Sequence, residues 1–319
     1  MNEKSQNGLA IETEGLVKTY GDEVLAVDGI DLAIETNTIY SLLGPNGAGK
    51  TTTLSILTTL LEPTDGSAKV WGLDVVKQAN EVRKRIGVTF QETVLDDLLT
   101  GRQALDFHGK LYNQSRAMRQ AKIEELLALV ELEEAADRKI RTYSGGMKRR
   151  LELIRGLMTE PDVLFLDEPT LGLDPQSRAR LGDYILDLKE NRGLTLLLTT
   201  HYMDEAQLLS DKVGIIDHGK IVAEGTPSEL IEQMGADVIR VEGQGNSGPF
   251  VEAVKALPFS QELSAANGVI QIGVDSGNRR LVEVVSIARE KGYRIEDISV
   301  AKPTLGDVFL KFTGRQFRD

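Results

Sequence analysis

Apolar positions fall into two kinds of run along this chain. Ile39–Leu43, Val163–Leu166, Leu194–Thr199 and Val213–Ile216 are short and almost wholly apolar, the pattern of strands covered on both faces. Leu9–Lys18, Val24–Ile34 and Thr38–Leu43 are β-like runs separated by the turn residues Gly21-Asp22 and Thr36-Asn37. After the turn Glu62-Pro63-Thr64-Asp65-Gly66, the segments Ala68–Trp71 and Ile86–Phe90 read as further strands flanking a charged helical stretch. From Glu92 to Val130 the character becomes helical. Thr100-Gly101-Arg102-Gln103 has the form of a capping box, and Ser115 opens a helix with Ile123, Leu126, Leu127 and Val130 on one face. This block interrupts the α/β alternation and reads as an inserted subdomain. Beyond the loop Gly243–Gly248 the pattern predicts strand, helix, strand, helix, strand, helix over Val238–Val241, Phe250–Ala256, Val269–Val274, Leu281–Arg289, Arg294–Val300 and Leu305–Thr313.

The 319 residues are enough for one large domain and a smaller one. The net charge of −12 argues against a general affinity for nucleic acid. With no cysteine, disulfides and thiolate metal sites are excluded. Met1–Asn7 is polar, unlike a signal peptide, and no apolar run approaches the roughly 18 residues of a membrane-crossing helix. The expectation is a cytoplasmic location.

The richest stretch is Gly44-Pro45-Asn46-Gly47-Ala48-Gly49-Lys50-Thr51, followed by Thr52. It matches G-x-x-x-x-G-K-[ST] and lies between a predicted strand and a helix whose Leu54, Leu57, Leu60 and Leu61 recur at helical spacing. Glycines there let successive N–H groups curl toward phosphate oxygens, and the helix offers its positive end to the same anion. Lys50 is placed for the β- and γ-phosphates, and the Thr51 hydroxyl for Mg²⁺. Val163–Leu166 ends in Asp167-Glu168. Strand alternation sends these two carboxylates to opposite sides, Asp167 toward Mg²⁺ and Glu168 as the base that orients a water. Ser144 can cap the helix that carries Leu151, Ile154, Leu157 and Met158, with Gly145 and Gly146 leaving its positive end open to an anion.

The order of these motifs resembles the ATP-binding subunits of ATP-binding-cassette (ABC) transporters, and most nearly the daunorubicin-resistance subgroup. Tyr143-Ser144-Gly145-Gly146-Met147 stands where that family usually has L-S-G-G-Q, and Tyr and Met are familiar there in this subgroup. Lys302–Leu310 looks like the subgroup's closing segment. The resemblance covers residues 9 to 235 and is fainter beyond.

It implies a P-loop NTPase cassette over 8–235: a RecA-like α/β core, an antiparallel β-subdomain and a helical subdomain at about 92–157. A small C-terminal α/β accessory domain fills 236–319. It implies roles for Tyr20 stacked on adenine, for Gln91 as the sensor of Mg²⁺ and water, for Asp174 in the D-loop and for His201 as the switch at the γ-phosphate. Two copies would sandwich two ATPs, with Ser144, Gly145, Gly146 and Met147 capping the partner's γ-phosphate. A separate permease chain would dock near Glu92–Leu99, putting the protein on the inner face of the cell membrane as an exporter's ATPase. Soluble ABC ATPases acting on ribosomes or DNA are the alternative. The first usually carry two cassettes and a basic linker, and the second a long coiled coil between P-loop and signature. Neither feature is in this sequence.

Overall fold

The computed structural model describes residues 8–21, 24–92, 94–266 and 268–314. Met1–Asn7, Asp22 of the first turn and Thr93 lie outside them. The chain divides into two compact units. The first takes residues 1–201, 209–211 and 216–221, and the second 202–208, 212–215 and 222–319.

In the first unit, β1 (Leu9–Tyr20), β2 (Val24–Glu35), β4 (Asp65–Val70) and β5 (Leu73–Asp74) form an antiparallel sheet of order β2-β1-β4-β5. On β2 the buried residues Ile30, Leu32 and Ile34 alternate with exposed ones, so one face packs and the other meets solvent.

A second group, β3 (Ile39–Leu43), β6 (Ile86–Thr89), β7 (Val163–Asp167) and β8 (Thr195–Thr200), runs parallel in the order β3-β8-β7-β6. Every residue of β3, β7 and β8 is buried. Their side chains feed two separate cores. Leu164 and Leu166 of β7 join the core of the helical block, while Val163 and Phe165 join the core beneath the antiparallel sheet. That period of two explains why these strands carry apolar residues at adjacent positions. The helix α1 (Lys50–Leu57) follows β3, and α2 (Ala79–Arg85) leads into β6.

The helical block comprises α3 (Gly101–Leu111), α4 (Arg116–Leu129) and α5 (Gly145–Leu157). Thr100 and Gln103 make the reciprocal capping box, and Ser115 accepts from the Met118 N–H. Ile123, Leu126, Leu127 and Val130 are all buried. The first helix starts at the predicted capping box, while residues 94–99, read as helical in character, are not helix. Around Asp96 the chain turns instead, the Asp96 carboxylate accepting from the Leu98 N–H at 2.8 Å, a local bond that competes with helix. Past β7, α6 (Pro175–Arg192) leads back to β8.

The second unit takes most of α7 (Met203–Leu209) and all of α8 (Pro227–Glu232). The hairpin of β9 (Lys212–Asp217) and β10 (Lys220–Gly225) is divided, its tip Ile216–Ile221 belonging to the first unit. The remainder of the second unit is β11 (Asp237–Gln244), α9 (Gly248–Lys255), β12 (Ser260–Ala266), β13 (Val269–Val274), α10 (Gly277–Glu290), β14 (Arg294–Ala301) and α11 (Leu305–Thr313). Its antiparallel sheet has the order β12-β13-β11-β14, a split β-α-β-β-α-β arrangement. The sequence reading lacks β12. Ser260-Gln-Glu-Leu-Ser-Ala-Ala has no β-branched or aromatic residue, and its register comes from pairing with β13. The closing segment Lys302–Leu310 has a structural account. Asp307, 2% exposed, accepts from Arg240, from Gln271 and from the N–H and hydroxyl of Thr304, pinning α11 to the sheet.

Candidate nucleotide site

The loop Gly44–Thr51 connects β3 to α1, and two of its glycines are sterically required. A Cβ on Gly44 would lie 2.4 Å from the Ile216 carbonyl oxygen. Gly49 has φ +107°, and its Cβ would meet the Ala26 carbonyl at the same distance. Asn46 and Gly47 at the tip are exposed, Pro45 and Thr52 are half-buried, and Ala48 is buried.

Lys50 is 5% exposed. Its ammonium donates to the carbonyls of Gly44 at 2.6 Å and Pro45 at 3.2 Å and pairs with Glu168 at 3.3 Å. Burial lowers its pKa, and the Glu168 and Asp167 carboxylates oppose that shift. The Thr51 hydroxyl lies 3.1 and 3.2 Å from the two Asp167 oxygens. Glu168 also reaches Nδ1 of His201 at 3.1 Å. So the P-loop lysine and threonine, both carboxylates and the histidine converge on one mouth.

The two acids point apart by a different device from strand alternation. Strand β7 stops at Asp167, and Glu168 has φ +44°, in the left-handed region. That turn aims the Glu168 carboxylate at Lys50 and His201, while Asp167 faces Thr51. Thr199 fixes the geometry. Its hydroxyl donates to Asp167 at 2.6 Å and accepts from the Glu168 N–H at 3.0 Å. Sequence reasoning missed Thr199, which carries no motif of its own.

Other predicted residues do not join this cluster. Tyr20 ends β1, 41% exposed, with the Lys18 ammonium 5.6 Å from its ring centre. Gln91 is exposed just past β6 and is not bonded to Thr51 or Asp167. Ser144 caps α5 by accepting from the Met147 N–H at 3.2 Å, which leaves its hydroxyl proton to donate. Gly146 faces Ser177, where a Cβ would come within 2.8 Å of the serine oxygen. Asp174 caps α6 through Ser177, and that hydroxyl contact lowers its pKa. Tyr143 is packed into the helical block, its hydroxyl donating to the Ala135 carbonyl at 2.6 Å. Leucine at this position would lack that bond. Met147 is partly buried against the same core.

A family model described as ABC transporter matches residues 27–171. The daunorubicin resistance ATP-binding protein DrrA3 of Streptomyces coeruleorubidus is 42% identical over 306 residues, 96% of each chain. The chain belongs to the ABC transporter ATP-binding proteins. The linearmycin resistance ATP-binding protein LnrL of Bacillus subtilis is 35% identical over 97% of this chain and 100% of its own. Among solved structures, the ATP-binding cassette MJ0796, a dimer bound to ADP and Pi in a post-hydrolysis state, has a TM-score of 0.62 at 27% identity. That match covers 68% of this chain and 98% of MJ0796.

The fold is that of an ABC cassette, and the protein is an ATPase that binds nucleotide. Cassettes of this kind dimerise. Among the described residues no helix is long and apolar enough to cross a membrane. No group of three or more His, Asp or Glu that could hold a metal by itself occurs among them either. The oxygen pair of Thr51 and Asp167 nevertheless fits Mg²⁺, which takes few protein ligands and completes its shell with phosphate and water.

Proposed function

We propose that the cluster at the P-loop mouth is the hydrolytic site of an exporter's ATPase subunit. The observation that carries this is the convergence of Lys50, Thr51, Asp167, Glu168 and His201. ATP enters with its phosphates against the N–H groups of Gly44–Thr52 and its adenine on Tyr20. Lys50 exchanges its carbonyl partners for the β- and γ-phosphates. Thr51 and Asp167, together with Gln91, would hold Mg²⁺, which would supply charge neutralisation on the phosphates. Glu168 accepts the proton of the attacking water, and His201, already beside it, orients that water and the γ-phosphate.

The cassette works as a homodimer, with Ser144–Met147 of one subunit completing the site of the other and Asp174 beside the shared edge. The cassette runs from 8 to 235, and 236–319 is accessory. Relatives named for daunorubicin and linearmycin resistance support a drug-type exporter on the cytoplasmic face of the membrane. A separate permease docks along Glu92–Leu99. A cavity of about 410 Å³ there, lined by the apolar Val94, Leu95, Leu99 and Phe107 and also by Asp96, His108 and Arg155, supports this edge.

The test of the shared site uses the absence of native cysteine. Asn46→Cys and Ser144→Cys chains are mixed in a Glu168→Gln background and treated with a short bis-maleimide. A crosslinked dimer that requires ATP and Mg²⁺, and that neither chain gives alone, is the expected result. Efficient linkage within one doubly substituted chain, with no dimer and normal ATP binding, overturns it.

A further inference from the structure

Helix α5 carries a buried pair, Arg149 (6% exposed) and Glu152 (0%), bonded at 3.1 Å. Arg149 Nε donates to the Pro169 carbonyl at 2.6 Å. Nη2 donates to those of Asp167 and Glu168 at 2.8 Å each, and Nη1 to Phe90 at 2.6 Å as well as to Glu152. Five bonds match the five N–H groups of a guanidinium, so none is left for a phosphate. Glu152 turns its other oxygen to the Val94 N–H at 2.7 Å.

Two consequences follow from where these partners lie. Asp167, Glu168 and Pro169 are consecutive. Three successive carbonyls converge on one cation where the chain makes the left-handed turn at Glu168. Phe90 and Val94 flank Gln91, so the same pair sets the backbone on either side of that glutamine. Lysine, with one nitrogen and no planar fork, cannot span these acceptors.

We propose that Arg149, oriented by Glu152, is a positioning residue for ATP hydrolysis. It holds the backbone turn that aims Glu168 and locks it to the segment carrying Gln91. Displacement of Gln91 is thereby transmitted to the base. The proposal rests on the reading of Glu168 as the base. Because Arg149 has no donor to offer the nucleotide, its loss acts on turnover and not on binding.

Full-length Arg149→Met, Arg149→Lys and Glu152→Gln are compared with the parent and with Glu168→Gln for kcat, KM and equilibrium ATP binding, all per folded nucleotide-binding molecule. Arg149→Met is expected to lower kcat by up to about 10²-fold, the loss typical of a misplaced catalytic group. ATP affinity stays within about threefold, since no nucleotide contact is removed. Arg149→Lys fails to restore the rate, and Glu152→Gln gives a smaller loss in the same direction. In a Glu168→Gln background Arg149→Met adds nothing, because the group it positions is gone. A role in folding alone would leave kcat per bound nucleotide unchanged in every variant and would overturn the proposal. So would an undiminished further loss in the double variant. If Arg149→Met does not fold, Arg149→Lys and Glu152→Gln carry the same comparison. Normal hydrolysis by Glu168→Gln would instead remove the base assignment, an outcome separate from any result at Arg149.

Discussion

Replacing Glu168 by glutamine keeps its volume and removes one negative charge, and the structure gives that change two effects beyond lost catalysis. Without nucleotide, the buried Lys50 ammonium loses the negative charge paired with it at 3.3 Å and keeps the Gly44 and Pro45 carbonyls. Breaking a buried pair from one side costs about 3–5 kcal/mol, and the two retained acceptors put this case near about 3. With ATP bound as proposed, the same carboxylate would face the γ-phosphate, and two unit charges about 5 Å apart at an effective dielectric near 20 repel by about 3 kcal/mol. Both effects favour the nucleotide-bound state of the variant. Glu168→Gln is therefore expected to hydrolyse ATP about 10²–10⁴ times more slowly. It should also unfold more easily when empty, and bind ATP at least about tenfold more tightly. Steady-state hydrolysis, equilibrium binding and thermal unfolding with and without ATP and Mg²⁺ measure all three. A normal rate refutes the base. A reduced rate with weaker ATP binding refutes the argument that Glu168 and the phosphates compete for Lys50.

Two further perturbations probe regions outside the chemistry. Asp307→Ala leaves Arg240, Gln271 and the Thr304 N–H without their acceptor, so the second unit should lose about 3 kcal/mol in chemical unfolding. ATP affinity should stay unchanged, and a large loss of binding would put the tail in the site. Burial, with Arg155 adding to it, pushes His108 from an ordinary 6.5 down to about 4. Between those values the unfolded chain takes up a proton that the folded chain refuses, so stability falls as pH drops through the window from 6.5 to about 4. His108→Gln should flatten that part of the profile, read as denaturation midpoints at pH 7 and pH 5. An unchanged slope would assign the acid sensitivity elsewhere.

Much of this protein is written in local pattern. The P-loop is legible because only a glycine-rich sequence can bring backbone as close as Gly44 comes to Ile216 and Gly49 to Ala26. The short, largely apolar runs of β3, β7 and β8 follow from burial on two faces. The helix starts at Thr100, Ser115 and Ser144 follow from orphan N–H groups that need a side-chain acceptor. Other features are decided only when distant segments meet. β12 has no β-forming residues and exists as a strand because β13 supplies its hydrogen bonds. Thr199 and Arg149 belong to no motif. Their importance comes from acceptors 32 and 18 to 59 residues away in the chain. The two adjacent carboxylates point apart for a reason that a strand period does not contain: the direction of Glu168 is set by a left-handed turn gripped by the Arg149 guanidinium of α5. Short-range pattern fixes which residues can form an element. Where a charged side chain points is settled by the partners that burial leaves it, and those are a property of the tertiary structure.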